Sequence, residues 1–401
     1  RTYFHAPLAN AGQVRAAMDV LGGPFMAQHD FRNADVVVSL GADFCASGPF
    51  HLRYARDFGE RRRANLVASG TLYVAECAPS PTGTLADHRL PASPSVMGRI
   101  AAALLSTLVH DTRFSEPVPS DMVHARAESI DLTPAERAWV TAAAKELDAH
   151  CGRGVVIAGP QQSADLHAVV HAINAAAGNV GNTVRYTKSP LLDAEGRAQD
   201  ITALEADIRS GGIDTLLILE GNPVYSAPID LAFAPALRGV RNSLYLGLYR
   251  NETAREVSWF VPAAHYLESW GDGRAYDGTA SLVQPLIAPL YDGHTIAEVL
   301  ALVAGERGVS AYDLVRRSWS AAPAAPASFD AWWNESLVRG TIAGSASPQA
   351  GAAIRWNAVG AARARLITPA AGDQVAISFV ASPAVHDGRF ADNGWLQELP
   401  D

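Results

Sequence analysis

Several residue groups in this sequence have types and spacings that could do chemistry, and each also has a purely structural reading. His167 and His171 lie four apart, so on a helix both imidazoles would share one face at a metal-ligand spacing. Ala168 stands where an H-E-x-x-H motif places its general base, which leaves a packed or solvated helix face as the competing reading. The densest polar segment runs from Glu268 to Gly278, where Gly271, Gly273 and Gly278 interleave with Asp272, Arg274 and Asp277. It reads as a tight loop whose glycine-freed N–H groups would hold an anion, or as a surface turn that caps a strand. Gly221, Asn222 and Pro223 follow an apolar run and carry the same two readings, a ligand cradle or a simple turn.

The three cysteines, Cys45, Cys77 and Cys151, form no C-x-x-C pair, so neither a zinc knuckle nor an iron–sulfur cluster can be assembled from them. Buried thiols are the expectation. No G-x-S-x-G elbow, phosphate-binding G-x-x-x-x-G-K-[ST] loop or G-x-G-x-x-G fingerprint is present, so the usual residues of a hydrolase, an NTPase and a dinucleotide enzyme are missing. A formal net charge of −9 argues against a nucleic-acid partner and suits a basic, cytochrome-like one instead. The run Arg61, Arg62, Arg63 is too short to reverse that and reads as a solvated helix end. The longest apolar stretch, Ile100 to Val109, is about half of the roughly twenty residues that a membrane span needs. The chain opens at Arg1 without a leader and closes at Asp401 in what reads as a continuing segment, as a piece of a longer polypeptide would.

The elements that must position these residues follow from hydrophobic period. Short apolar, β-branched runs at Val36–Leu40, Leu72–Val74, Val155–Ile157, Leu216–Leu219, Leu244–Leu246 and Val257–Val261 suit strands buried on both faces of a parallel sheet. Between them, Pro134–Ala149, Ser163–Ala177, Ala203–Ser210 and Thr295–Ala304 read as helices. That alternation predicts an α/β chain of two pseudo-symmetric, doubly wound α/β domains, 1–149 and 150–319. An Ala/Pro linker and helix at 320–333 and a β-rich segment at 334–401, with β character at Gln374–Val380, would follow. The pseudo-symmetry rests on an echo: Asp35, Leu40, Ser47 and Pro49 repeat, at identical offsets, as Asp214, Leu219, Ser226 and Pro228. Both copies read as a buried strand running into a loop, and ligands of such sheets bind where strands end at their carboxyl side.

These segments, taken in order, resemble the molybdopterin oxidoreductase superfamily. Ala34–Asp43 is similar to the strand and loop that open that family's second domain, and Leu85–Pro91 to its later "Ala-Asp, then Leu-Pro" segment. Leu217–Pro223 resembles its Gly-Asn-Pro loop, and Glu252–Ala254 followed by Phe260–Ala264, Glu268 and Gly271 resembles the series that helps build the pterin groove. The closing segment from Asp387 to Asp401 points most sharply to the molybdopterin-like half of the iron–sulfur subunit of alternative complex III. The resemblance implies vestigial pterin-pocket residues at Gly41, Asp43, Gly221, Asn222, Pro223, Thr253, Glu268, Gly271 and Asp272.

The departures define the functional expectation. Catalytic relatives put a Cys, selenocysteine, Ser or Asp on molybdenum at a place that falls here around Tyr3 to Pro7, where Phe4 and His5 stand and where Phe cannot coordinate a metal. The family's "Asp-Pro-Arg" has become Glu76-Cys77-Ala78-Pro79. The resemblance therefore implies a noncatalytic scaffold with no cofactor and no metal of its own, within a quinol-oxidising complex of a respiratory or photosynthetic chain. Iron–sulfur clusters (4Fe-4S and 3Fe-4S type) would lie in the rest of the polypeptide. Partners would include a multihaem cytochrome c and quinone-binding membrane subunits, on the periplasmic side of the inner membrane. One alternative is a catalytic molybdenum reductase for polysulfide, thiosulfate or a related substrate. Another is a plain small-molecule-binding protein whose crevice closes on a solute.

Overall fold

A computed structural model describes residues 1–6, 8, 11–64, 70–109, 118, 127–189, 200–322, 328–368 and 377–398. The expectations placed on Pro7, on 323–327 of the Ala/Pro stretch, on 374–376 and on 399–401 lie outside the described residues. The chain divides into a larger unit, Asn10–Gly196 with Pro348–Val380, and a smaller one, Arg1–Ala9 with Arg197–Ser347 and Ala381–Asp401.

In the larger unit the elements run α1 (Ala11–Leu21), β1 (Phe25–His29), β2 (Val36–Leu40), α2 (His51–Ala64), β3 (Thr71–Glu76), α3 (Pro81–Thr84) and β4 (His88–Pro91). They continue with α4 (Pro94–Leu108), α5 (Pro134–Ala149), β5 (Gly154–Ala158), α6 (Ala164–Ala176) and β6 (Val184–Lys188). Four strands form a parallel sheet in the order β4-β3-β2-β5, while β1 and β6 form a separate antiparallel pair. Side chains alternate across a strand, and both faces of this sheet are covered. Val36, Val38 and Leu40 point into a core shared with α4, α5 and α6, whereas Val37, Leu72, Val74 and Val155 meet Phe44, Tyr54 and Phe58 on the other side. All five residues of β2 are buried, which is why its sequence shows no polar alternation. The helix starts follow local rules: Thr133 and Glu136 form a reciprocal capping box ahead of α5, and Ser163 caps α6.

The smaller unit holds α7 (Ile201–Arg209), β7 (Thr215–Leu219), α8 (Pro223–Ser226), α9 (Phe233–Arg238), β8 (Asn242–Gly247), α10 (Glu252–Glu256) and β9 (Trp259–Pro262). After them come β10 (Gly271–Arg274), β11 (Ala280–Val283), α11 (Ile296–Val303), α12 (Ala311–Ser320) and α13 (Phe329–Arg339). Strands β7-β8-β9 form a parallel sheet in that order, and β10 and β11 a hairpin. Leu216, Ile218, Phe233, Leu237 and Tyr245 build one core, and Ala280, Leu282, Val315, Trp333 and Ile342 a second. The chain then returns to the larger unit as α14 (Trp356–Ile367) and ends in the smaller one with a single turn, α15 (Gly394–Gln397).

The mixed α/β class with parallel sheets stands as expected, but four organisational expectations change. The boundary at 149/150 falls inside the larger unit, because β5 pairs in register with β2 and so completes the first sheet instead of opening a second. The region 334–401 is no separate β-rich piece: its described residues contain no strand, and α14 buries Trp356, Val359 and Ala362 against α6. Residues 1–9 join the smaller unit, where Tyr3 packs on the Leu216–Phe233 core and bonds to Asp207. The segment 268–278 is not one loop, since Gly271–Arg274 is a strand paired with β11 and only the turn that follows is irregular. Two smaller corrections concern side chains. Of the three cysteines, Cys45 is half-buried and Cys77 and Cys151 are exposed. Arg61 is not solvated but largely buried at the end of α2, paired with Asp35, while Arg62 pairs with Asp87.

Candidate functional site

The residues singled out around Asp43 and Asn222 occupy equivalent places, at the carboxyl end of the first strand of each parallel sheet. In the larger unit, Gly41 turns the chain after β2 and Asp43 Oδ1 accepts from both the backbone N–H (3.0 Å) and the hydroxyl (2.6 Å) of Thr82 on α3. The Thr82 hydroxyl oxygen in turn accepts from Cys45 N–H at 3.1 Å. In the smaller unit, Asn222 Oδ1 accepts from the backbone N–H (3.3 Å) and hydroxyl (2.8 Å) of Thr253 on α10, whose oxygen accepts from Val224 N–H at 3.1 Å. Ser47 donates to the Asp43 carbonyl and Ser226 to the Asn222 carbonyl, which gives the repeated serine of the echo its physical role. The repeated Asp35 and Asp214 carbonyls likewise each accept from the N–H that starts the next strand, Thr71 and Asn242.

Each unit thus carries the same clasp: a loop Asp or Asn gripping a buried threonine in the first turn of the short helix that follows the next strand. The sequence reasoning found Asp43, Asn222 and Thr253 but missed Thr82. A signal existed, because Thr82 and Thr253 both stand two residues after a helix N-cap, Ser80 and Asn251. Pro223 is the buried first residue of α8. Gly221 has φ of +72°, its carbonyl accepts from Tyr245 Oη at 2.7 Å, and its Cα faces open space. Glu220 beside it is a non-glycine residue at φ +63°, so two consecutive left-handed residues make this turn. Glu268, Gly271 and Asp272 do not join the clasp: Glu268 accepts from His265 N–H in the turn after β9, and Asp272 on β10 accepts from Trp319 Nε1 at 2.9 Å.

The polar groups of the clasps are satisfied from within. Asn222 Nδ2 donates to Glu252 Oε2 at 2.7 Å, so both ends of that amide are engaged, and this bond holds the Glu252 carboxyl below its ordinary pKa. Glu76, which ends β3, is buried between Arg89 and Ser80, each at 2.6 Å. The neighbouring Cys77 thiol is pushed up in pKa by partial burial and by Glu76, and Cys45 by burial, so neither is a thiolate ready for a metal. Among the described residues no group of three His, Cys, Asp or Glu is placed to hold a metal ion. His167 and His171 share a helix face as expected, but that face is buried in the core.

Where the resemblance places the metal ligand, Phe4 is 57% exposed and His5 lies against the α8 turn, its Nε2 2.9 Å from Ser226 Oγ. The Ser226 hydroxyl donates to the Asn222 carbonyl, so His5 must supply the hydrogen of its own bond. Its Nδ1 is then the lone-pair nitrogen. Burial lowers the His5 pKa, which favours this neutral form.

The fold has a known counterpart. Acetylene hydratase from Pelobacter acetylenicus superimposes with a TM-score of 0.57 at 13% sequence identity, over 75% of this chain. The chain shares that enzyme's α/β fold over this stretch. It spans about half of that enzyme's length, 51%. No protein-family model and no curated protein matches the sequence.

In both clasps the loop side chain and the threonine bond to each other, so Asp43 and Asn222 are engaged within the protein. The clasps are testable as a pair. Thr253→Val and Thr82→Val each remove a fully buried hydroxyl and orphan one loop N–H, so each is expected to cost about 1–3 kcal/mol in urea unfolding, with Thr→Ser restoring most of it. A large loss at one threonine and none at the other would refute the equivalence.

Proposed function

We propose that this chain is a noncatalytic, molybdopterin oxidoreductase-like scaffold within a quinol:acceptor oxidoreductase of the alternative complex III kind. The observation that carries this reading is the state of the two strand-end loops. Asp43 and Asn222, which stand where a pterin pocket would be lined, have their side chains engaged by Thr82, Thr253 and Glu252. A domain relieved of catalysis can keep its sheets while its former ligand loops close on themselves, and fold alone does not imply function. In this proposal, iron–sulfur clusters elsewhere in the polypeptide carry electrons from quinol toward a c-type haem. The chain sits on the periplasmic side, held by quinone-binding membrane partners and a multihaem cytochrome c. No helix among the described residues is long and apolar enough to cross a membrane, so attachment through such partners accords with the helices seen.

The test is elemental analysis of the purified assembly for molybdenum, tungsten and iron, with acid extraction of any pterin. The expected result is iron without molybdenum, tungsten or pterin. Molybdenum or tungsten near one per chain would overturn the proposal. That outcome would favour the second reading, a molybdenum reductase for a polysulfide- or thiosulfate-like substrate. The His5 imidazole gives that reading its support, since its neutral Nδ1 is of a type that binds metals.

A further inference from the structure

Three imidazoles meet inside the larger unit with no carboxylate among them. His29 ends β1, and His167 and His171 lie one turn apart on α6; all three are at most 7% exposed. His171 Nδ1 is 2.8 Å from Tyr186 Oη of β6, and the Tyr54 hydroxyl of α2 lies 3.2 Å from His29 N and 3.4 Å from its Nδ1. His167 bonds to the backbone of Gly159, just past β5. The Nε2 atoms of His167 and His171 are buried with no hydrogen-bond partner among the described residues. His171 therefore ties α6 to β6, His167 ties α6 to the end of β5, and His29 ties β1 to α2, through groups that pack well only while uncharged.

Among the described residues the carboxylates on the surrounding elements are engaged with other partners: Asp30 beside His29 accepts from Asn33, and Glu60 of α2 pairs with Arg32 and Arg56. Asp165 of α6 pairs with Arg365 of α14, Asp19 of α1 with Arg15, and Asp57 of α2 with Arg32 and Arg56. Arg53 of α2 acts repulsively on His29, and His29 and His167 act repulsively on His171. Arg99 on α4 and Arg363 on α14 belong to helices packed on α6 and bring only further positive charge. Each proton added to the trio would thus sit in apolar surroundings beside like charge.

We propose that His29, His167 and His171 form an acid-triggered switch, in which protonation releases α6 from the β1–β6 pair and opens the larger unit while the smaller unit stays folded. Burial is the main cause that depresses His29 and His167 to about 4 and His171 to about 3, from 6.5. Because these folded values lie below the unfolded one, the opened state binds more protons between them. The stabilisation is complete above pH 6.5 and is lost as pH falls toward about 4. The effect is cooperative, since one proton on the trio raises the cost of the next until the helix moves away.

Hydrogen exchange read by mass spectrometry on the intact protein, stepped from pH 7 to 4 with rates corrected for intrinsic chemistry, tests this. The expected result is early loss of protection in α6, β1 and β6, with β7 and β8 still protected. In the double variant H167Q/H171Q, whose amides do not titrate, the midpoint of that loss should move down by about one pH unit. An unchanged midpoint, or loss in β7 and β8 at the same pH as in α6, overturns the switch. If the variant does not fold, side-chain NMR of the wild-type histidines decides: three imidazoles still neutral at pH 5.5 support the switch, and all of them titrating near 6.5 sinks it.

Discussion

Asn174→Leu is expected to lower the unfolding free energy of the larger unit by on the order of 4 kcal/mol, although leucine fills nearly the same volume. Strand β5 lies at the edge of its sheet, and the backbone groups on its outer side need partners. Asn174 supplies them from α6: Oδ1 accepts from Val156 N–H at 3.0 Å and Nδ2 donates to the Val156 carbonyl at 2.7 Å. Asn179 and Thr183 do the same for Gly154 N–H and C=O, and Asn179 Nδ2 also donates to Asn174 Oδ1. These three side chains stand in for a missing strand. Leucine would leave two backbone groups of Val156 and one amide of Asn179 buried and unpaired, at about 1–3 kcal/mol each before relaxation. Urea unfolding of Asn174→Leu beside Asn174→Asp, which keeps the acceptor, measures this. A loss below about 1 kcal/mol for leucine would mean that water reaches the edge of β5.

The second large effect is expected at Gly159→Ala, with a loss of about 2–4 kcal/mol and a fall in Tm of roughly 5–15 °C. Gly159 follows β5, and its N–H donates to the Leu40 carbonyl at 3.0 Å, so it holds the carboxyl ends of β5 and β2 together. A Cβ there would overlap the Gly41 carbonyl, reaching within 2.7 Å of its carbon. Backbone cannot swing aside as a side-chain end can, so the two strand ends must part. Thermal unfolding reads the cost, and Gly59→Ala on α2, where a Cβ meets nothing within 4 Å, is the control. Equal behaviour of the two variants would show that the strand ends are not held as described.

How much of this could be read from the residues is clearest element by element. Val36–Leu40 is fully buried in a parallel sheet, and a continuous β-branched run of that length has few other solutions. Helix α5 begins and ends where its Thr133-Pro134 start and alanine-rich pattern place it. The candidate loops were legible in part. The resemblance located Asp43, Asn222 and Thr253, but Thr82, the partner of Asp43, lies across a strand and a turn, and nothing in the period of the sequence links the two. His167 and His171 were legible as sharing one face, yet whether that face met water or core depended on β1, β6 and β5 arriving there.

By itself, then, the sequence determined the local features: strand against helix, the caps, and the repeated strand-to-loop unit with its conspicuous Asp, Leu, Ser and Pro. These depend on periods of two or 3.6 residues and on bonds spanning a few positions, so they are written within short windows. Only the tertiary structure decided which sheet took β5, where residues 1–9 and α14 docked, and that the loop side chains of Asp43 and Asn222 were already engaged. Those outcomes depend on pairings between distant segments, where many apolar runs could satisfy the same strand edge. The choice among them is made by the packing of the whole core and by the need to give each buried polar group a partner.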